Sequence, residues 1–295
     1  MGAAILLAAS SVAAGAGQDP SPRDEGGWLA GETAHYRVYV QKGCFNPKTK
    51  EGDGQILEDV KSAMEVIFGK FTAAFEFKGD FPGPAVVRVY RDRASYLAHG
   101  GPPTTSAHYD QGRRHIAATC EDGPGGGTFL QVLCHEGFHQ FCDLAYPGFN
   151  PPPWFSEGLA DGFGSGRFQG KSFTSFTLAG LAGRRAEAIR QAAAENRHVP
   201  LPDLLAMERE QFLQAEELHY AQSWAFVHFL WNAPSLQSGN GTYRGVVVRL
   251  MQGFAAGRPR DEVYREAFRH EGVPLDLARL EAEWKRYARS LRVKQ

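Results

Sequence analysis

The sequence is poor in the features that would assign the commonest chemistries. Its 32 Lys and Arg against 33 Asp and Glu leave a net charge of −1. No basic run or aromatic-interleaved basic stripe occurs, so dependence on a polyanionic partner or on nucleic acid is not expected. Short basic pairs, Arg113-Arg114 and Arg184-Arg185, read as solvated faces. No Gly-x-Ser-x-Gly elbow is present, which leaves a serine hydrolase without support. The Gly-Pro-rich stretch Gly123-Pro124-Gly125-Gly126-Gly127 is not followed by Gly-Lys-Ser or Gly-Lys-Thr, so it is no phosphate loop and reads as a flexible approach to the next helix. Nor is there an internal repeat or a low-complexity tract.

Cysteine is scarce as well. Cys44, Cys120, Cys134 and Cys142 have no Cys-x-x-Cys spacing, which argues against a structural zinc ribbon. If Cys134 and Cys142 share a helix, a rise of 1.5 Å per residue sets them about 12 Å apart, too far to bridge each other. Cys44 with Cys120 is then the first pairing to test, and one or two disulfides suit an exported protein without being required. The longest small apolar run, Ala3 to Ala16, is too short for a comfortable membrane span. It ends Ala14-Gly15-Ala16 ahead of a polar start, in the manner of a secretory signal peptide over residues 1–16, although no Lys or Arg precedes it. An exported protein, periplasmic or extracellular and without a membrane span after signal removal, is the expectation.

What is present is an apolar content of 43% in 295 residues, enough for one large domain or two closely packed lobes. Residues 17–31, rich in Gly, Pro and charge, read as a linker. Over residues 32–126, β-prone runs at Thr33–Val40, Ala85–Tyr90, Thr105–Tyr109 and His115–Cys120 flank a helical pattern from Ile56 to Phe75 and a short helix starting near Asp92. An N-terminal mixed sheet with a helix across it is the economical assembly. Residues 127–295 read as helices, apart from a hairpin over Arg167 to Leu178. The expected class is α+β, an N-terminal mixed β-sheet lobe with helices packed on a mainly α-helical C-terminal lobe.

The stretch Cys134-His135-Glu136-Gly137-Phe138-His139 lies on the first of these helices. His135 and His139 are four apart, so their side chains stack on one helical face, close enough for two imidazoles to bind one ion. Glu136 then points at a water held by that ion, the H-E-x-x-H arrangement of a zinc-bound, carboxylate-activated water. The helix is apolar around much of its circumference, which suits a metal site and equally a buried helix whose histidines are satisfied by carbonyls. A catalytic zinc commonly takes three protein ligands, so two histidines are not yet a site. A third histidine shortly after is absent, since Cys142 and Ala145 take those places. The remaining standard solution is a carboxylate from a following helix, and Glu157 lies eighteen positions beyond His139. Asp161, one turn after Glu157, is placed to accept a hydrogen bond from a ligand histidine and fix its tautomer. The alternative for both acids is a solvated face on a short helix.

His-Glu-x-x-His followed by a Pro-rich loop and Trp154-Phe155-Ser156-Glu157-Gly158-Leu159-Ala160-Asp161 resembles the gluzincin clan of zinc metallopeptidases, most closely its peptidase-MA-like families of exported proteins. The likeness is specific over Thr128 to Gly162 and extends to the helical remainder only in general layout. It implies a zincin-like fold with the metal site between the lobes, Zn²⁺ held by His135, His139 and Glu157, and Glu136 as general base in the hydrolysis of peptide or protein substrates. Tyr220 resembles the tyrosine that related aminopeptidase-like enzymes place on a later helix as oxyanion donor, with His219 as the alternative and ordinary helix packing as the bland reading. The run carrying His108 and Tyr109 is the candidate cleft rim, where an extended peptide adds as a strand. A Gly-rich, glutamate-bearing motif for a substrate amine is not found, which favours an endopeptidase. The competing expectation is a catalytically silent zincin-fold binding or scaffold protein of the cell envelope; the intact Glu136 speaks against it.

Overall fold

A computed structural model of the chain describes residues 27–121, 128–169, 172–178, 181–233, 243–270 and 272–292. The expected signal peptide, most of the expected linker and the Gly123–Gly127 approach lie outside the described residues. The chain is of mixed α+β class and divides into two compact units. One runs through Ala145 and takes in Arg167–Thr174; the other comprises Tyr146–Gly166 and the chain from Ser175 onward.

The first unit is built on a five-stranded sheet of β1 (Trp28–Glu32), β2 (Tyr36–Gln41), β5 (Ala85–Tyr90), β7 (His115–Thr119) and β6 (Ala107–Asp110), in that spatial order. The two central pairings, β2 with β5 and β5 with β7, are parallel, and each edge strand is antiparallel to its neighbour. Parallel central strands need both faces covered, and the residues comply. Tyr36, Val38 and Val40 on β2 and Val87 and Val89 on β5 are fully buried. Helix α1 (Asp53–Phe75) packs on β2 and buries Ile56, Val60, Met64, Ile67 and Phe71, the 3.6-residue stripe legible in the sequence. Between β2 and α1 the chain makes a small ribbon of β3 (Phe45–Asn46) and β4 (Glu51–Gly52). Helix α2 (Arg93–Ala98) starts at Asp92, whose carboxylate accepts the Ser95 N–H at 2.7 Å.

Residues Trp28–Glu32, read from sequence as the end of the linker and the approach to the first strand, form edge strand β1. Its register places Trp28 opposite Gln41 and Glu32 opposite Arg37. The Trp28 ring meets Tyr90 edge-on at 5.4 Å. That tertiary contact, rather than local β-propensity, makes a strand of a Gly-flanked segment.

Helix α3 (Phe129–Ala145) completes the first unit, packing on α1, β6 and β7. The hairpin β8 (Arg167–Gln169) and β9 (Ser172–Thr174) belongs with it. The second unit holds α4 (Pro153–Gly164), α5 (Leu181–Ala194), α6 (Leu201–Ala206), α7 (Arg209–Phe212), α8 (Glu216–Asn232), α9 (Arg244–Ala255), α10 (Arg260–Ala267) and α11 (Leu277–Ser290). Helix α8 is buried on nearly every side, from His219 through Leu230, and α4, α5, α9 and α11 pack around it. The helical reading of residues 127–295 is interrupted after Ala267. Arg269–His270 instead pair as β10 with β11 (Val273–Pro274), the chain reversing at Gly272 with φ +80°. Among the described residues no helix is long and apolar enough to cross a membrane.

Candidate metal centre

Helix α3 approaches α1 closely at Gly137. A Cβ there would lie 3.0 Å from Ile67 Cδ1 and 3.3 Å from Met64 Cε, so the glycine inside the His-Glu-Gly-Phe-His run is the price of close packing. The aromatic side of α3 follows from this contact. Phe138 meets Phe71 at 5.8 Å and Phe141 meets Phe71 at 5.3 Å, ring centre to ring centre. Four residues apart on the helix, His135 and His139 bring their Nε2 atoms to 3.2 Å from each other. Both are largely enclosed, His139 being the more open at 9% exposure.

Glu136 is fully buried. Its Oε2 accepts the backbone N–H of Tyr109, on edge strand β6, at 2.8 Å. The other oxygen, Oε1, is buried and has no hydrogen-bond partner among the described residues. One oxygen is thus anchored by main chain while the other is left with its acceptor capacity intact. Near this carboxylate, the Tyr96 hydroxyl bonds His108 Nδ1 at 2.9 Å and Thr105 Oγ1 at 2.8 Å. Burial pushes the His108 imidazole below its ordinary range, with the nearby Glu136 charge acting in the opposite sense.

In the second unit, Pro152 and Pro153 begin α4, the latter in the first turn, where the missing N–H costs nothing. Gly158 lets α4 lie against α8: a Cβ at this position would stand 2.7 Å from both the Ser223 carbonyl oxygen and Val227 Cγ2. The residue before it, Glu157, is 1% exposed and accepts a hydrogen bond from Arg209 Nη1 at 2.8 Å. One turn on, Asp161 is ion-paired with the buried Arg185. The Arg185 guanidinium also lies over the Tyr220 ring, 5.0 Å from its centre. Burial lowers the Arg185 pKa to about 10, against the support it draws from Tyr220 and Glu157. For Arg209 burial also acts downward, but the Glu157 charge and Tyr220 outweigh it and the guanidinium is raised. Tyr220 is held well above its usual value by burial first and by Glu157 second, so it is a protonated phenol. The alternative donor, His219, is engaged through Nδ1 with the Phe212 carbonyl at 2.7 Å.

His135, His139 and Glu157 each offer one ligand atom, and these atoms all lie within 4.8 Å of one another. Two imidazole nitrogens and one carboxylate oxygen can hold a metal ion, and the set fits the donor preferences of a first-row divalent cation. No family model matches the chain. A comparison with curated proteins likewise finds no match. The site therefore stands on its own residues.

Sequence spacing singled out His135, His139 and Glu157, the group that could hold a metal ion. It did not anticipate the Tyr109 amide, which carries no side-chain signal at all, nor Arg209 and Arg185, which lie 52 and 28 residues beyond Glu157 and share no motif with it. Two arginines beside two buried acids are what the desolvation of those acids calls for. That requirement is visible only once Glu157 and Asp161 are known to be buried.

Proposed function

We propose that this chain is a zinc-dependent peptidase that hydrolyses peptide bonds in peptide or protein substrates, with His135, His139 and Glu157 as the zinc ligands and Glu136 as the general base. One observation carries the reading. Beside two histidines with convergent Nε2 atoms stands a buried carboxylate with one oxygen fixed by the Tyr109 amide and the other unengaged. A purely structural glutamate in such a place would be expected to have both oxygens satisfied.

Zinc in this donor set supplies Lewis acidity for the water and for the scissile carbonyl. The protein's own groups do the rest. Glu136, oriented by the Tyr109 N–H, takes a proton from the attacking water through Oε1 and returns it to the leaving amine, a role worth roughly 10²- to 10⁴-fold in rate. Tyr220, protonated across the working pH range, is the candidate donor to the developing oxyanion. Asp161, fixed by Arg185, is the candidate partner for a ligand histidine. The lack of an amine-recognition motif continues to favour an endopeptidase.

Metal content and peptide hydrolysis, measured on the wild type and on Glu136→Gln, test the proposal. Stoichiometric zinc in both, with hydrolysis lost only in the variant, is the expected result. Zinc without turnover on a broad peptide library would instead assign a metal-bearing binding protein. Unchanged zinc content in His135→Ala would overturn the ligand assignment itself.

A further inference from the structure

Away from the candidate metal centre, two buried thiols, both free in the structure, lie at one end of the five-stranded sheet. Cys44 follows β2 in a turn made at Gly43 (φ +81°), and Cys120 follows β7 directly. The strand between them in the sheet is β5, and both thiols reach the backbone just at its end. Cys44 Sγ lies 3.9 Å from the Tyr90 carbonyl oxygen and Cys120 Sγ 3.5 Å from that of Arg91. Cys120 Sγ is also 3.5 Å from the carbonyl oxygen of Phe45, the residue next to Cys44. The Asn46 side chain closes the same junction from the other side, donating from Nδ2 to the Cys120 carbonyl at 3.1 Å. Cys44 is 2% exposed and Cys120 fully buried.

We propose that Cys44 and Cys120 are a cross-linking site, joined by a disulfide that ties the turn after β2 to the end of β7 across the end of β5. The reaction is an exchange with a disulfide-bearing oxidant such as oxidised glutathione. One cysteine, as thiolate, attacks a sulfur of the oxidant and expels one thiol. The other then attacks the resulting mixed disulfide and expels the second. The two cysteines lose two electrons and two protons, and the oxidant is reduced to two thiols. In the folded unit the two thiols interact directly, the contact with Cys44 lowering the pKa of Cys120 while that of Cys44 is raised. With both sulfurs enclosed, the bond forms while the unit folds and resists reductant afterwards. Cys134 and Cys142 are set apart: burial in apolar surroundings alone drives the Cys134 thiol upward and leads the same effect at Cys142. The inference does not depend on peptide hydrolysis.

The test is a thiol count on the full chain refolded in a buffer of oxidised and reduced glutathione, then unfolded in excess alkylating agent without reductant. Two alkyl groups per chain are expected, both mapping to Cys134 and Cys142, against four after prior reduction. The oxidised protein is expected to melt roughly 5–15 °C above the reduced one, a shift absent in the double variant Cys44→Ser, Cys120→Ser. Four alkyl groups without reduction, a retained glutathione adduct, or a bridge that includes Cys134 or Cys142 would each overturn the assignment. If the double variant fails to fold, the peptide map of the wild type decides alone.

Discussion

Arg209 offers the most demanding test of how the buried acid Glu157 is maintained. In Arg209→Met the aliphatic stem is kept and the charge removed, which leaves a carboxylate that is 1% exposed without its guanidinium at 2.8 Å. Breaking a buried ion pair from one side costs about 3–5 kcal/mol. Because the Arg209 side chain is itself 26% exposed, water replaces part of the lost interaction, and about 2–4 kcal/mol is the expected loss for the metal-free protein. At about 2–4 °C per kcal/mol for a unit of this size, the melting temperature in chelator should fall by roughly 5–15 °C. A divalent cation bound at the three-residue set restores positive charge beside Glu157. On the proposed assignment, zinc at a hundredfold excess over its Kd would stabilise the folded protein by about 2.7 kcal/mol and should recover much of the variant's deficit. Differential scanning calorimetry of wild type and variant, each with chelator and with zinc, reads all four states. A variant that melts within a degree or two of wild type in chelator would refute the claim that Arg209 neutralises Glu157. Equal stabilisation of Arg209→Met by zinc and by magnesium would refute the claim that the cation acts through the imidazole-bearing set.

The other predictions follow from packing and from one buried histidine. His228 donates from Nε2 to the Phe176 carbonyl at 3.0 Å and accepts at Nδ1 from the Tyr287 hydroxyl at 2.7 Å, and burial lowers its pKa to about 4. Below pH 6.5 the unfolded chain takes up a proton that the folded one refuses. Stability present above pH 6.5 is therefore lost as the pH falls toward 4, by on the order of 3 kcal/mol; urea titrations at stepped pH should show this slope in wild type and a flatter one in His228→Gln. Gly158→Ala drives a methyl against the Ser223 carbonyl and Val227 and should cost about 1–3 kcal/mol. Gly69→Ala, on an exposed face of α1 with nothing within 4 Å of the new atom, should instead stabilise by about 0.5–1 kcal/mol. Thermal denaturation of the pair checks both signs. Tyr264→Phe removes the hydroxyl that accepts from Trp154 Nε1 and donates to the Leu205 carbonyl, each at 2.8 Å; leaving those two groups without it should cost about 1–3 kcal/mol by chemical denaturation.

The parts of the fold legible in the sequence are those in which a local pattern and a tertiary requirement coincide. The stripe from Ile56 to Phe75, the Asp92 cap and the proline start of α4 all carry their own reason for being where they are. The same holds for the candidate ligands, because helical spacing alone sets His135 beside His139. Where structure depends on a distant partner the signal disappears. Strand β1 exists through its register with β2 and the Trp28 ring on Tyr90, and neither is local. Arg209 is an ordinary surface-type residue until Glu157 is found buried beneath it. Gly137 and Gly158 each mark a close helix-to-helix approach that only the packing reveals.

The hydrogen bond from Tyr109 to Glu136 has a consequence for solubility. Strand β6 is the outer strand of its sheet, and an outer strand with open amides is a template for pairing with a second chain. Here the Tyr109 N–H is already taken by the Glu136 carboxylate, and α3 packs on the strand. The side chain proposed for proton transfer thus also occupies an amide of the outer strand. Glu136→Gln retains a carbonyl acceptor for that amide, whereas Glu136→Ala uncovers it. The two substitutions should then differ in aggregation rate on mild heating.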